Sequence, residues 1–218
     1  MSGDFSDLAR QVRTADVVDA MGRLHRHRCH VLDLVTPTPG RLLFGPAVTI
    51  SYFPSCSEAI PPDRYTFARL FYEAIGESGK GKVLVLASNG HTDVSLGGGA
   101  KMSRVANHNM AGILTDGRLR DFHELARLDF AAYCSGEATR WGGDVVTPFE
   151  ANRPVVLRGV GIRPGDYVFA DGSGAAVIPE GQIRRVLEEA VRVVQEDAAA
   201  IATIRREDPG APSGESER

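Results

Sequence analysis

The chain has 218 residues, 43% hydrophobic and 24% charged, with a formal net charge of -3. That apolar content suffices for one large core, the slight negative balance gives no basis for expecting nucleic acid, and no apolar run approaches the ~20 residues of a membrane span. Three widely spaced cysteines, Cys29, Cys56 and Cys134, argue against a disulfide framework and for a reducing compartment. The N-terminal MSGDFSDLARQVRT lacks the basic-then-apolar order of a secretion signal, so the expected location is cytoplasmic. No internal repeat is present, and residues 1–206 are expected to form one domain ahead of a polar, proline- and glycine-rich disordered tail, 207–218.

Helical spacing of Phe5, Leu8, Ala9 and Val12 predicts a first short helix, and Thr14-Ala-Asp-Val-Val-Asp-Ala-Met begins a second with Thr14 or Asp16 as its cap. After a basic segment, strands are predicted over Cys29 to Leu34 and Leu42 to Tyr52, then a loop over Pro54 to Pro62. Phe67 to Ile75 returns to helical spacing. Lys82-Val-Leu-Val-Leu-Ala is a continuous apolar run, as for a strand covered on both faces. A helix over Ala100 to Asn107 and a strand at Ile113 to Thr115 complete a strand-helix-strand unit. Further on, the pattern predicts a helix over Phe122 to Leu128, a strand over Ala131 to Ser135, and extended segments at Val145 to Phe149 and Pro154 to Arg158. A hairpin of Tyr167 to Ala170 and Ala175 to Ile178 turns at Asp171-Gly-Ser-Gly. A long helix then starts near Pro179, its apolar face of Ile183, Val186, Leu187, Ala190, Val191, Val194 and Ala198 running to about Ile204.

Chemistry concentrates between Gly97 and Glu124. Gly97, Gly98 and Gly99 let the backbone approach a ligand closely, and the helix that follows them offers free amides to a carboxylate or phosphate. The strand Ala111-Gly-Ile-Leu-Thr delivers Asp116, Arg118, Arg120 and Asp121 at its carboxyl end, where α/β proteins gather ligands. The plain alternative is that Asp121 caps the next helix, Arg120 joins a surface ion pair, and the glycines form a turn. His25-Arg-His-Arg-Cys-His invites a zinc reading, but in an extended strand His30 falls on the face opposite His25, His27 and Cys29. Gly76-Glu-Ser-Gly-Lys-Gly-Lys lacks the preceding strand and following Ser or Thr of a phosphate loop, and reads as a connection. Cys134 is expected to be buried and inert.

Three blocks, GPAVTI, GGGAKMSRVANHNMAGILTDGRLRD and GVGIRPGDYVFADGSGAAVIP, resemble in order those of the RraA-like family, which includes 4-hydroxy-4-methyl-2-oxoglutarate aldolases and regulators of ribonuclease E activity. The resemblance implies an α/β fold, a swivelling β/β/α sandwich, assembled as trimers or hexamers with sites between subunits. It implies that Arg120 binds the carboxylate or enolate oxygen of an oxo-acid and that Asp121 holds Mg2+ or Mn2+. The substrate carboxylate would also meet the amides of Gly98, Gly99, Ala100 and Lys101, and Glu196 or Asp197 of a neighbour's last helix would approach the metal. A cation beside a guanidinium suits this chemistry, because retro-aldol cleavage and oxaloacetate decarboxylation both pass through a pyruvate enolate.

The chain departs from the family pattern at two acids. Gly99 stands where the family carries an aspartate or glutamate, opening space, and Ser88-Asn89 end a strand that commonly ends in aspartate. Asp93 or His91 are candidate substitutes for acid–base work, and Trp141 and Arg140 are candidates for the pocket, Arg140 to grip a second carboxylate. The leading expectation is a metal-dependent lyase on a small oxo-acid, possibilities for divergence including tautomerisation, cyclisation or a larger substrate with specificity from Ser55, Cys56 and Ser57. The alternative is a non-catalytic regulator binding a protein such as ribonuclease E. Neither nucleic acid nor a membrane is expected as a partner.

Overall fold

A computed structural model describes residues 5–207; of the tail expected to be disordered, all but Glu207 lies outside the described residues. The described chain opens with α1 (Ser6–Ala9) and α2 (Thr14–Leu24), then β1 (His30–Val31), the long β2 (Leu43–Pro54), α3 (Phe67–Ile75) and β3 (Val83–Ala87). Next come β4 (Ser95–Gly97), α4 (Gly99–Asn107), β5 (Gly112–Thr115), β6 (Arg118–Leu119), α5 (Phe122–Leu125), β7 (Ala131–Tyr133) and β8 (Val146–Ala151). The chain ends with β9 (Val155–Leu157), β10 (Val160–Ile162), β11 (Tyr167–Asp171), β12 (Gly174–Ile178) and, after a 3-10 turn at Glu180–Gln182, α6 (Ile183–Ile204).

The fold is α/β, built on a mixed sheet in the order β1-β12-β11-β2-β3-β5-β7, with β8 also paired to β2. The 12-residue β2 changes partners along its length. Leu43 to Pro46 pair antiparallel with β11, Ala47 to Ser51 run parallel to β3, and Ile50 to Pro54 pair antiparallel with β8 across an irregularity at Ser51/Tyr52. The parallel trio β3, β5 and β7 needs long crossovers, which α3, α4 and α5 with their loops supply.

Alternation along the strands explains the layering. Leu84 and Leu86 of β3 join a core with Ile50, Ile113, Phe71 and Met102 under α3 and α4, while Val83 and Val85 face a second core with Leu157, Val160 and Val168. A third core joins α2 and α6, through Val17, Met21, Val186 and Leu187, to Phe169 and Ile178 on the far face of the β11–β12 hairpin. The result is one mixed sheet whose two halves face each other across the second core, with helices packed outside each half, the α/β architecture that the family resemblance implies. Each fully buried Leu, Ile or Phe contributes about 1.5–3 kcal/mol. These faces therefore supply the driving force for the fold.

Several boundaries differ from the expectation. The helix expected over Phe5 to Val12 is the single turn α1, and the strand expected over Cys29 to Leu34 is the two residues of β1. The His25 to His30 segment is not extended: His25 is the C-cap of α2 and Arg26 has φ 54°, so strand alternation does not describe it. His25 and His27 meet edge to face at 5.6 Å, and Cys29 is buried in the core beneath α2 and α6. The buried face of α6 stops near Val193; Ala198, Ile201 and Ile204 are exposed. Segments 76–82 do form the expected connection, with Gly76 at φ 59° closing α3.

The cap of α2 also differs. Its N-cap is Arg13, whose N–H donates to Asp16 at 2.7 Å, and the Thr14 N–H donates to Asp171 at 2.8 Å from the distant β11–β12 turn. Burial pushes the Asp171 carboxyl up, but bonds from Ser173 and Thr14 outweigh it and hold the group below its ordinary value. Its stabilising effect is therefore present above the ordinary aspartate pKa of ~4 and is lost as pH falls through the lowered folded value. Asp171→Ala is expected to cost about 1 kcal/mol at pH 7, with the gap from wild type shrinking on acidification, as read by urea unfolding at pH 7, 4 and 3.

Candidate active site

The expected glycine-rich stretch ends β4 and begins α4. The short parallel pair β4 and β6, not foreseen in the sequence, brings Gly97 beside Leu119, and the Arg120 N–H donates to the Gly97 carbonyl at 3.0 Å. This register sets Arg120 and Asp121 against Gly98 and Gly99. None of the three glycines has positive φ, so their function here is to leave space. A Cβ on Gly98 would overlap the Asp121 carboxylate and lie 2.6 Å from Arg120 Cγ. Lacking that atom, the loop lets a guanidinium and a carboxylate reach the start of a helix.

Asp121 occupies the N-cap position of α5 yet does not cap it. Its backbone is left-handed, at φ 63° and ψ 41°, and its side chain makes no bond to its own helix. Instead Asp121 Oδ2 accepts from the Gly99 N–H of α4 at 3.0 Å, and the Phe122 N–H of α5 is satisfied by Glu137 at 2.9 Å. The capping role expected as the plain reading thus falls to Glu137. Asp121 Oδ2 also lies 3.6 Å from Arg120 Nε, both side chains being a little under half exposed. Among the described residues the Arg120 guanidinium makes no hydrogen bond, leaving its fork of donors for a ligand.

Gly97, Gly98, Ala100, Lys101 and Arg120 line a hollow of about 60 Å³ with Ser95 and Trp141. Within the described residues no acceptor meets the Ala100 and Lys101 N–H groups of the first turn of α4. Burial first, then the neighbouring Arg120 and Arg104, pull the Lys101 ammonium below its ordinary value. Its Nζ donates to the Leu96 carbonyl at 3.3 Å and stands 5.3 Å over the Phe67 ring. Two orphan amides and two cations around so small a space favour an anion of carboxylate size.

The space beside Gly99 is not open, contrary to expectation. A Cβ on Gly99 would overlap Glu124 Oε2, so a carboxylate from α5 fills the place where a side chain at position 99 would stand. Glu124 was missed in the sequence, although the Asp-x-x-Glu spacing of Asp121 and Glu124 carries the signature of a capping box. Here that pair faces α4. Asp121 and Glu124 offer hard oxygen donors that suit Mg2+ or Mn2+ bound by one or two carboxylates with waters and substrate oxygens. No group of three or more His, Cys, Asp or Glu side chains with metal-holding geometry occurs among the described residues.

Other candidates lie elsewhere. Asp93 is ion-paired with Arg140 at 2.6 Å between exposed side chains, and neither Asp93 nor His91 is among the residues lining the hollow. Asp116 is buried at the end of β5, where it accepts from the Ser88 N–H at 2.7 Å; burial raises its pKa. Glu196 pairs with Arg23 of α2 at 2.9 Å within the same chain. Ser55 is tied to Thr147 and Gly143. Cys134 is fully buried, and burial pushes its thiol up.

The sequence and the fold agree on kinship. The RraA-like family model, described as Aldolase/RraA, matches residues 14–177, and the chain belongs to this family. It is 27% identical to a candidate 4-hydroxy-4-methyl-2-oxoglutarate aldolase of Halalkalibacterium halodurans over 90% of this chain and 86% of that one. It is 28% identical to protein DlpA of Legionella pneumophila over 76% of this chain, but the match spans only 26% of DlpA. The fold superposes on RraAS2 of Streptomyces coelicolor, described as an unusual member of the RNase ES inhibitor RraA family, with a TM-score of 0.79 and 23% identity, covering 94% and 98% of the two chains. No helix among the described residues is long and apolar enough to cross a membrane.

Because the overlapping atom is the far end of an exposed Glu124 side chain that can swing aside, Gly99→Asp is expected to destabilise the protein by only about 0.5–1 kcal/mol, chiefly through like-charge repulsion. Adding Glu124→Ala should recover at least half of that loss. A double-mutant cycle by chemical denaturation measures the coupling.

Proposed function

We propose that the chain is a divalent-metal-dependent lyase that cleaves or decarboxylates a 2-oxo acid through an enolate. The observation that carries this reading is that the Arg120 guanidinium and the unpartnered first-turn amides of α4 line one small hollow, with the Asp121 carboxylate 3.6 Å from Arg120 Nε and bound to the Gly99 amide. The aldolase names of relatives support the same class.

In this reading the amides of Ala100 and Lys101 and the Arg120 fork hold the substrate carboxylate and the 2-oxo oxygen. In a retro-aldol reaction the 4-hydroxyl proton leaves, the C3–C4 bond breaks, and its electron pair moves to form the C2–C3 double bond of an enolate. Arg120 faces the oxygen on which the negative charge grows, so its attraction strengthens toward the transition state. Decarboxylation releases carbon dioxide from C3 and leaves the same enolate, which a proton at C3 converts to the 2-oxo acid product. Glu124, beside Gly99, is the carboxylate we assign to proton handling. Asp121 would hold Mg2+ or Mn2+, which would supply Lewis-acid polarisation of the 2-oxo group when bound. Asp121, which already binds the first amide of α4, would thus also orient the cation. Homotrimeric or homohexameric assembly, with Glu196 reaching a neighbour's site, is part of this proposal.

Assays with oxaloacetate and 4-hydroxy-2-oxo acids in the presence of Mg2+ or Mn2+ test it. Arg120→Ala should lower kcat/KM by about 10²–10³-fold, and Asp121→Ala should abolish metal dependence and weaken Mn2+ binding in calorimetry. Rates indistinguishable from wild type in both variants would refute the reading.

A further inference from the structure

The small anion hollow adjoins a larger one. A space of about 290 Å³ shares Ser95, Lys101 and Trp141 with it as common walls and is otherwise lined chiefly by Tyr52, Tyr65, Phe67, Val146 and Pro148. We infer that the natural substrate is a 2-oxo acid with an aromatic or similarly bulky apolar tail, its oxo-acid head at Arg120 and its tail between Tyr65, Phe67 and Trp141. This rests on the head-group reading above and extends it to the rest of the substrate.

Volume, charge and rigidity support the assignment. An apolar cavity of about 150 Å³ already admits benzene, so the larger hollow has room for a ring and its linker. Its lining contains one cation, Lys101, and no carboxylate. That cation lies on the wall shared with the anion hollow, where its Nζ is bonded to the Leu96 carbonyl, and Tyr52 donates to the same carbonyl at 3.2 Å. Arg140, adjacent to Trp141 in the chain, is paired with Asp93 at the surface and is not among the lining residues. A second carboxylate on the substrate tail would therefore have to compete with the head group for Lys101, the one cation in the lining.

The aromatic walls are held in place before a ligand arrives. Tyr65 stacks on Phe149 with centroids 5.5 Å apart and an interplanar angle of 18°. The Trp141 indole lies against Gly143, where any Cβ would overlap the ring, and Trp141 is bridged to Ser95. Yet Trp141 remains 63% exposed, a large apolar surface at the mouth of a site. Fixed rings lose little freedom when they bind a third, which favours a planar apolar guest.

The test compares three ligands with one head group, 2-oxobutanoate, 2-oxoglutarate and 2-oxo-4-phenylbutanoate, titrated by calorimetry into the full chain with Mg2+. Trp141 is the only tryptophan, so its fluorescence reports on the hollow directly. The phenyl compound is expected to bind at least about tenfold more tightly than 2-oxobutanoate, to change Trp141 emission, and to lose that advantage in Tyr65→Ala while 2-oxobutanoate affinity holds. Arg120→Ala should weaken all three. Equal affinities, tighter binding of 2-oxoglutarate, or a phenyl preference that survives Tyr65→Ala would overturn the inference while leaving the head-group site intact. Binding of no ligand, or binding indifferent to Arg120→Ala, would overturn the head-group reading and this one with it.

Discussion

The site depends on one hydrogen bond, from the Gly99 amide at the start of α4 to the Asp121 carboxylate at the start of α5. Two helices that could each have been capped locally are joined there instead. The bond is charge-assisted, and a carboxylate at a helix N-terminus gains a further ~0.3–1 kcal/mol from the helix dipole. Against this stands a left-handed backbone at Asp121, a conformation that costs an ordinary residue of order 1 kcal/mol. The arrangement is locally unfavourable for α5 and persists because Glu137 satisfies the amide that Asp121 leaves.

From this bond the electrostatics follow. Asp121 takes the first amide of α4, so the next two remain for an incoming anion. Arg120 pairs with Asp121 only loosely, at 3.6 Å, which leaves most of its hydrogen-bonding capacity available. Lys101 is the second cation, and its depressed affinity for a proton reflects burial and the repulsion of its basic neighbours. A negatively charged guest relieves that repulsion. In the proposed reading such a guest would meet geometry already present, so that little reorganisation would accompany binding.

Much of this was legible in the residue pattern, and the reasons are local. Phe67–Ile75 was read to the residue because its apolar spacing puts five positions on one core. β3 was evident because its run is apolar on both faces. The convergence of Arg120 and Asp121 on the glycines came from family resemblance, since it requires β4 and β6, strands of three and two residues whose identity lies in pairing with each other. Glu124 escaped because a carboxylate three residues after Asp121 is the ordinary mark of a capped helix, and only the tertiary fold shows it turned toward Gly99. His25 to His30 failed as a strand because the chain leaves α2 through a positive-φ residue, Arg26, which no periodicity announces.

The exchange of partners along β2 has a consequence for how the molecule comes apart. The hairpin β11–β12 with its helices, and the parallel trio with its own, are both zipped to the same strand. Freeing either half exposes backbone that the other half still needs in register. Solvent exchange at the amides of Val48 to Ile50 should therefore require global unfolding, and the two halves should melt in a single transition even though each has its own apolar interior.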